Sequence, residues 1–151
     1  MGVVRTGQVT DAILALARST DIPVGDGAKD RGAESAGWQG APGQSSFVGY
    51  AVLHSIEGGR TYGPITDPND DADTLYQITG VGATRPQAEQ VADDLREALE
   101  GQYPQIADAR EVMLITVDFL GGARRDDTVS PAVWITTDRF RVMSTPGNSG
   151  S

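Results

Sequence analysis

The chain has 151 residues, a formal charge of −9, one histidine and no cysteine. A domain of this length buries about 70% of its unfolded surface and can hold a core without staples, and the missing thiols exclude disulfides, thiolate metal sites and thiol nucleophiles. The acidic balance argues against a sequence-reading nucleic-acid binder, which needs clustered Lys and Arg against phosphates, but not against a surface past which DNA slides without sticking.

The opening stretch, MGVVRTGQVTD, turns polar within five residues and lacks the apolar run of a signal peptide. Gly2 and Thr6 match the short myristoylation pattern, but the next residues read as a folded helix and the match is taken as chance. No run of about 20 apolar residues is present for a membrane span, so synthesis in the cytoplasm is expected. The first element is a helix over residues 4–19, in which Val9, Ala12, Ile13, Leu16 and Ala17 make one apolar stripe. Ile22-Pro23-Val24 suits a short edge strand, where proline is tolerated.

Residues 25–46, GDGAKDRGAESAGWQGAPGQSS, carry six glycines and no hydrophobic period. A loop this long within a compact domain is expected to be disordered or ordered by a partner, and Trp38 at its middle favours the partner. FVGYAVLHSI, residues 47–56, reads as a strand. Val48, Tyr50, Val52 and Ile56 fall on one face and Phe47, Ala51 and Leu53 on the other, so cover is expected on both sides.

The connection that follows contains DPNDDADT, residues 67–74. Counted as an EF-hand loop from Asp67, it places Asn69, Asp71 and Asp73 well. It fails where a glycine and a bidentate glutamate are required, at Ala72 and Ile78. A polar turn with self-repelling carboxylates is the expectation.

TLYQITGVG, residues 74–82, is the second long strand, with Leu75, Gln77, Thr79 and Val81 alternating against Tyr76 and Ile78. TRPQAEQVADDLREALEG, residues 84–101, is a helix with its signals in place. Thr84 is the N-cap with Gln87 completing a capping box, Pro86 lies in the first turn, and Gly101 stops the helix. Ala88, Val91, Ala92, Leu95, Ala98 and Leu99 face inward, and Glu89, Asp93, Asp94, Glu97 and Glu100 face out. Strands follow at 111–120 and 132–143, joined by GGARRDDTVSP, and residues 144–151 read as a flexible tail. Together these predict one α+β domain over residues 1–143. It has a mainly antiparallel sheet of about four strands, two helices packed on one face, and the order α-β-β-α-β-β.

No catalytic set emerges. His54 and Ser55 are strand neighbours pointing to opposite faces and cannot pair, so His54 is expected to be structural, at a strand end or a subunit contact. The phosphate-loop, GxSxG, HExxH and complete GxGxxG patterns are absent. GVGAT, residues 80–84, joins a strand to a helix N-terminus, as an anion site would, but lacks the third glycine and the lysine. A glycosidase pair requires two carboxylates facing each other across a cleft, one with its pKa raised by burial, whereas Asp70–Asp71, Asp93–Asp94 and Asp126–Asp127 fall on an exposed helix face or in loops and read as solvated.

The run LYQITGVGATRPQAEQVADDLREAL resembles the tail-terminator (tail-completion) proteins of long-tailed bacteriophages, in which a strand and small-residue turn lead into a helix of the form G.TR.QAE.VAD.LR.AL. The matching positions are Gly82, Thr84, Arg85, Gln87, Ala88, Val91, Ala92, Asp93, Leu95 and Arg96, and the likeness extends more loosely over residues 3–143. The resemblance implies a ring, usually of six subunits, that caps the finished tail tube, stops its polymerisation and meets the head-completion (stopper) protein, with DNA passing through the centre. It implies no cofactor, metal or catalytic residue, and a place at the head-proximal end of the virion tail. Contacts with the major tail tube protein, the stopper or a neighbouring subunit are expected at Lys29, Arg31, Trp38, Phe47, Arg124 and Arg125. A head–tail connector ring on the head side is the near alternative, and a small metal-dependent hydrolase using Asp70, Asp71 and Asp73 the distant one.

Overall fold

The computed structural model describes residues 6–56, 72–102, 105–106 and 110–146. Helix α1 spans Thr6–Ala17 and α2 spans Arg85–Leu99. The strands are β1 (Val24–Asp26), β2 (Gly37–Trp38), β3 (Phe47–Val48), β4 (Tyr50–Ser55), β5 (Ala72–Gly82), β6 (Gln105–Ile106), β7 (Arg110–Asp126) and β8 (Val133–Pro146). Six of them form one sheet in the order β1-β4-β5-β8-β7-β6, and β2 and β3 form a separate two-stranded ribbon. Every pair in the large sheet is antiparallel except β1 with β4. The fold class is therefore the expected α+β, with four long strands at the centre and the short β1 and β6 added at the edges.

Both helices pack on one face through a single core. Val9, Ile13 and Ala17 of α1 meet Val91, Leu95 and Leu99 of α2 over Ala51, Leu53, Tyr76, Ile78, Ile115 and Phe140 of the sheet. Tyr76 is fully buried, and the hydroxyls of Tyr76 and Thr10 hydrogen-bond at 2.9 Å, which satisfies the one polar atom of that side chain. Helix α2 approaches β5 at backbone distance. A Cβ on Gly80 would lie 3.2 Å from Val91 Cγ1 and 3.7 Å from the Ala88 carbonyl oxygen, and one on Gly82 would lie 2.5 Å from the Ala88 nitrogen. These glycines, flagged above as a weak anion motif, are accounted for by helix–strand packing.

The cap at the start of α2 differs in one half from expectation. Thr84 Oγ1 accepts from the Gln87 N–H at 3.3 Å as a capping box requires. The Gln87 carboxamide, however, accepts from the Ala83 N–H at 2.8 Å and donates to the Phe47 carbonyl at 2.7 Å. Bridging back to Phe47 draws it one residue past the usual partner.

The segment 25–46, expected to be disordered or ordered by a partner, folds onto its own chain. Backbone N–H groups of Asp26, Arg31, Ala33, Ala36, Gln39, Gln44 and Ser45 all find carbonyls within the segment or at Ser46, so it closes its own hydrogen bonds as a series of turns. Gly32 (φ 130°) shows why glycine is needed, since a Cβ there would sit 2.5 Å from the Val24 carbonyl oxygen. The expected strand 47–56 breaks at Gly49, where a Cβ would lie 2.8 Å from Val91 Cγ2. Phe47–Val48 leaves the large sheet there to pair with Gly37–Trp38.

Other boundaries shift too. The edge strand begins at Val24 instead of Ile22, and β8 continues through Pro146. β7 runs on through Asp126, so Arg124 and Arg125 sit in a strand opposite Ile135 and Trp134, and not in a loop. Register shifts at Val112/Leu114, Val117/Phe119 and Gly121/Arg124 make this strand irregular, and Gly121-Gly122 within it reads locally as a turn. Gly2, residues 67–71 and residues 147–151 lie outside the described residues. No described helix is long and apolar enough to cross a membrane.

The glycine contacts predict a contrast. Gly82→Ala forces a methyl group against the α2 backbone and should lower the urea-unfolding free energy by about 1–3 kcal/mol. Gly122→Ala meets nothing within 4 Å and should change stability by less than about 0.5 kcal/mol.

Candidate functional site

Strand alternation sends Tyr50 and Val52 of β4, Thr79 and Val81 of β5, and Ile135 of β8 to the sheet face away from the helices. The 25–46 segment folds over one end of this face and leaves an apolar cleft of about 680 Å³ between itself and the β7–β8 turn. Trp38, Phe47, Tyr50, Val81, Val133 and Ile135 form its walls, with Lys29, Glu34 and Asp126 among its polar lining.

The walls are built from aromatic contacts. Trp38 meets Phe47 edge-on at 5.0 Å between ring centroids with an interplanar angle of 80°, and Phe47 lies 6.2 Å from Tyr50. The Lys29 ammonium sits 5.4 Å from the Tyr50 ring centre and donates to the Glu34 carbonyl at 3.2 Å, a cation–π contact that fixes the chain across the sheet. Burial raises the Tyr50 pKa. Hydrogen bonds from the Gly32 N–H and its own backbone, followed by the nearby Lys29 and Arg18 charges, lower that of exposed Glu34 despite slight desolvation. Asp126 is lowered first by Thr128, whose hydroxyl and N–H both donate to it.

Of the six residues expected at contacts, the fold brings Lys29, Trp38 and Phe47 together at this cleft. The Arg31 side chain is exposed, while its carbonyl accepts from the Asp26 N–H at 3.0 Å and from the Arg18 guanidinium at 2.9 Å. Arg124 and Arg125 lie on β7, and Arg125 forms an exposed ion pair with Asp127 at 2.8 Å. His54 is half-buried on β4 opposite Gln77, and Ser55 is exposed opposite Tyr76. Among the described residues, no cluster of three His, Asp or Glu side chains is placed to hold a metal ion.

Sequence reasoning missed Asp138. It pairs with Ile78 on the helix-covered face and is only 5% exposed. Desolvation drives its pKa up to about 6; the Arg96 charge opposes the rise and Asp93 adds to it. The signal was present, because Thr136, Asp138, Phe140 and Val142 share one face and two of the four are plainly apolar. A raised carboxyl marks a general acid when it lines a cleft, but Asp138 lies beneath α2, on the opposite sheet face from the aromatic cleft.

Because the folded-state pKa is raised, the folded chain binds the proton more tightly than the unfolded one. That stabilisation is complete below the unfolded value near 3.8 and is lost as pH rises through about 6. The shift corresponds to at most about 3 kcal/mol. Asp138→Asn should therefore stabilise the fold at pH 7.5 relative to the parent by about 1–3 kcal/mol. The advantage should shrink towards zero at pH 4, as read from chemical denaturation at both pH values.

Neither a protein-family model nor a curated protein matches this chain. Among solved structures it is similar to a chain in the virion of a native gene transfer agent (GTA) particle. The TM-score is 0.65 at 15% sequence identity, over 93% of this chain and 96% of that one. At that identity the two chains share a fold along nearly their whole lengths.

Proposed function

We propose that this chain is a structural virion protein, a tail-terminator subunit that forms a ring on the end of a phage tail tube. The observation that supports it most is the shared fold with a GTA virion chain, which covers almost all of both chains. The arrangement of strand β5, the small-residue turn and helix α2 agrees with the tail-terminator resemblance at Gly82, Thr84, Arg85 and Gln87, since each has a structural task in that junction.

In this reading the ring stops tube polymerisation and presents a surface to the head-completion protein, while genomic DNA passes through the lumen. The acidic balance of the chain, −9 overall, suits a conduit that must not retain DNA. The aromatic cleft with Lys29, Trp38 and Phe47 serves contact with the tube or stopper protein, and no step of bond chemistry is assigned to it.

The purified chain, measured by light scattering on a size-exclusion column, should have the mass of a closed hexamer, about 95 kDa against 15.9 kDa for one chain. Added to purified tail tubes, it should bind at one end and block further growth. A chain that remains monomeric and also fails to bind tube ends overturns the proposal. Binding to portal-side assemblies instead of tubes would make it a head-side connector ring.

A further inference from the structure

The two edges of the large sheet are finished differently. At the β1 edge, the Val24 carbonyl accepts from the Arg18 guanidinium at 3.1 and 3.2 Å, and the Asp26 N–H donates to the Arg31 carbonyl. That edge is closed by its own chain. At the other edge, β6 pairs only with Arg110 and Glu111 of β7, and Gly101 and Gln102 satisfy the backbone of Ile115. Beyond Ile115, no described residue pairs with the outer edge of β7.

This open stretch also carries exposed apolar side chains. Phe119 is 49% and Leu120 48% exposed. A Cβ on Gly121 would meet the Phe119 ring at 2.9 Å, so the ring lies across Gly121, and the Arg139 guanidinium sits 5.6 Å from its centroid. Arg124, opposite Ile135, stands on the same sheet face. A long open strand edge with exposed aromatic and aliphatic groups is a template for association unless something covers it.

The helix layer offers the complement. Asp21, Asp94 and Glu97 line a shallow hollow of about 440 Å³ beside Thr20 and Ala98. No described cation pairs with any of the three: the ion pairs of α2 are Arg85–Glu89 and Arg96–Asp93. Nor are they grouped to bind a metal ion. The molecule therefore has an apolar strip at one edge, with the Arg124 and Arg139 guanidinium groups on its sheet face, and an unneutralised acidic hollow on its helices.

We infer that the β7 edge around Phe119 docks on the helix layer of a second copy of this chain, with Arg124 and Arg139 meeting the acidic hollow. The two patches differ, so the contact is head-to-tail, the kind that builds rings when the rotation closes. The inference rests on the ring reading above and names the surface through which that ring is made. Covering the strand with a helix removes the open edge, and the carboxylates supply acceptors for guanidinium groups without a large apolar interface.

Charge reversal tests this by self-association measured with light scattering across protein concentration. Arg124→Glu with Arg139→Glu, or Asp94→Arg with Glu97→Arg, should each weaken association at least about tenfold. The chain carrying all four changes should recover most of it, and Phe119→Ser should weaken it without charge dependence. Circular dichroism melts matching the parent exclude simple unfolding. Unchanged association in the reversed variants, or a four-fold variant as weak as its parents, overturns the inference while leaving the ring intact. A parent chain that stays monomeric at every concentration also overturns it. The ring reading is then decided separately, by whether that monomer binds tube ends.

Discussion

The close approach of α2 to β5 is the constraint on which the rest of this structure depends. Gly80 and Gly82 bring the helix to backbone distance from the strand, and Val91, Leu95 and Leu99 then reach the same buried layer as Tyr76, Ile78 and Phe140. With one sheet face committed to helices, strand alternation sends Thr79, Val81 and Ile135 to the other. That second face needs its own cover. Helix, glycine pair and outer face are consequences of one packing decision.

The cover comes from residues 25–46, which carry little hydrophobic pattern. Their turns are closed by local backbone hydrogen bonds, and Lys29, Trp38 and Phe47 anchor them to Tyr50. The Gln87 carboxamide ties the same region to the start of α2 through the Phe47 carbonyl. One side chain thus links the helix cap to the cleft wall, so the cleft is positioned by the helix packing on the far side of the sheet. Asp138 marks a cost of the arrangement, since α2 seals a carboxyl beneath it with Arg96 as its opposing charge.

Charge is distributed unevenly over this frame. Arg124, Arg125 and Arg139 collect on the β7–β8 side, whereas Asp93, Asp94, Glu97 and Glu100 collect along the outer face of α2. Arg85 and Arg96 on α2 are held by Glu89 and Asp93, and Arg125 on β7 by Asp127, which leaves Arg124 and Arg139 on one side and Asp94 and Glu97 on the other. Such an asymmetry suits ordered head-to-tail assembly better than two-fold pairing of one patch with itself.

The sequence by itself determined the elements with strong local periods: α2 with its Thr84 cap, the β5 alternation of Tyr76 and Ile78 against Thr79 and Val81, and the α+β class. Caps, helical stripes and two-residue alternation act over a few residues, so they can be read along the chain. The tertiary structure alone decided the strand order, the break at Gly49, the extension of β7 through Arg124 and Arg125, and the folding of residues 25–46 onto the sheet. It also gathered Lys29, Trp38 and Phe47 at one cleft while leaving Arg124 and Arg125 on β7, outside its lining. Those outcomes depend on contacts between residues far apart in the chain: Gly49 with Val91, Phe47 with Gln87, and the edge of β7 with the short β6. No local pattern encodes them, because the favourable energy appears only once the distant partner has arrived.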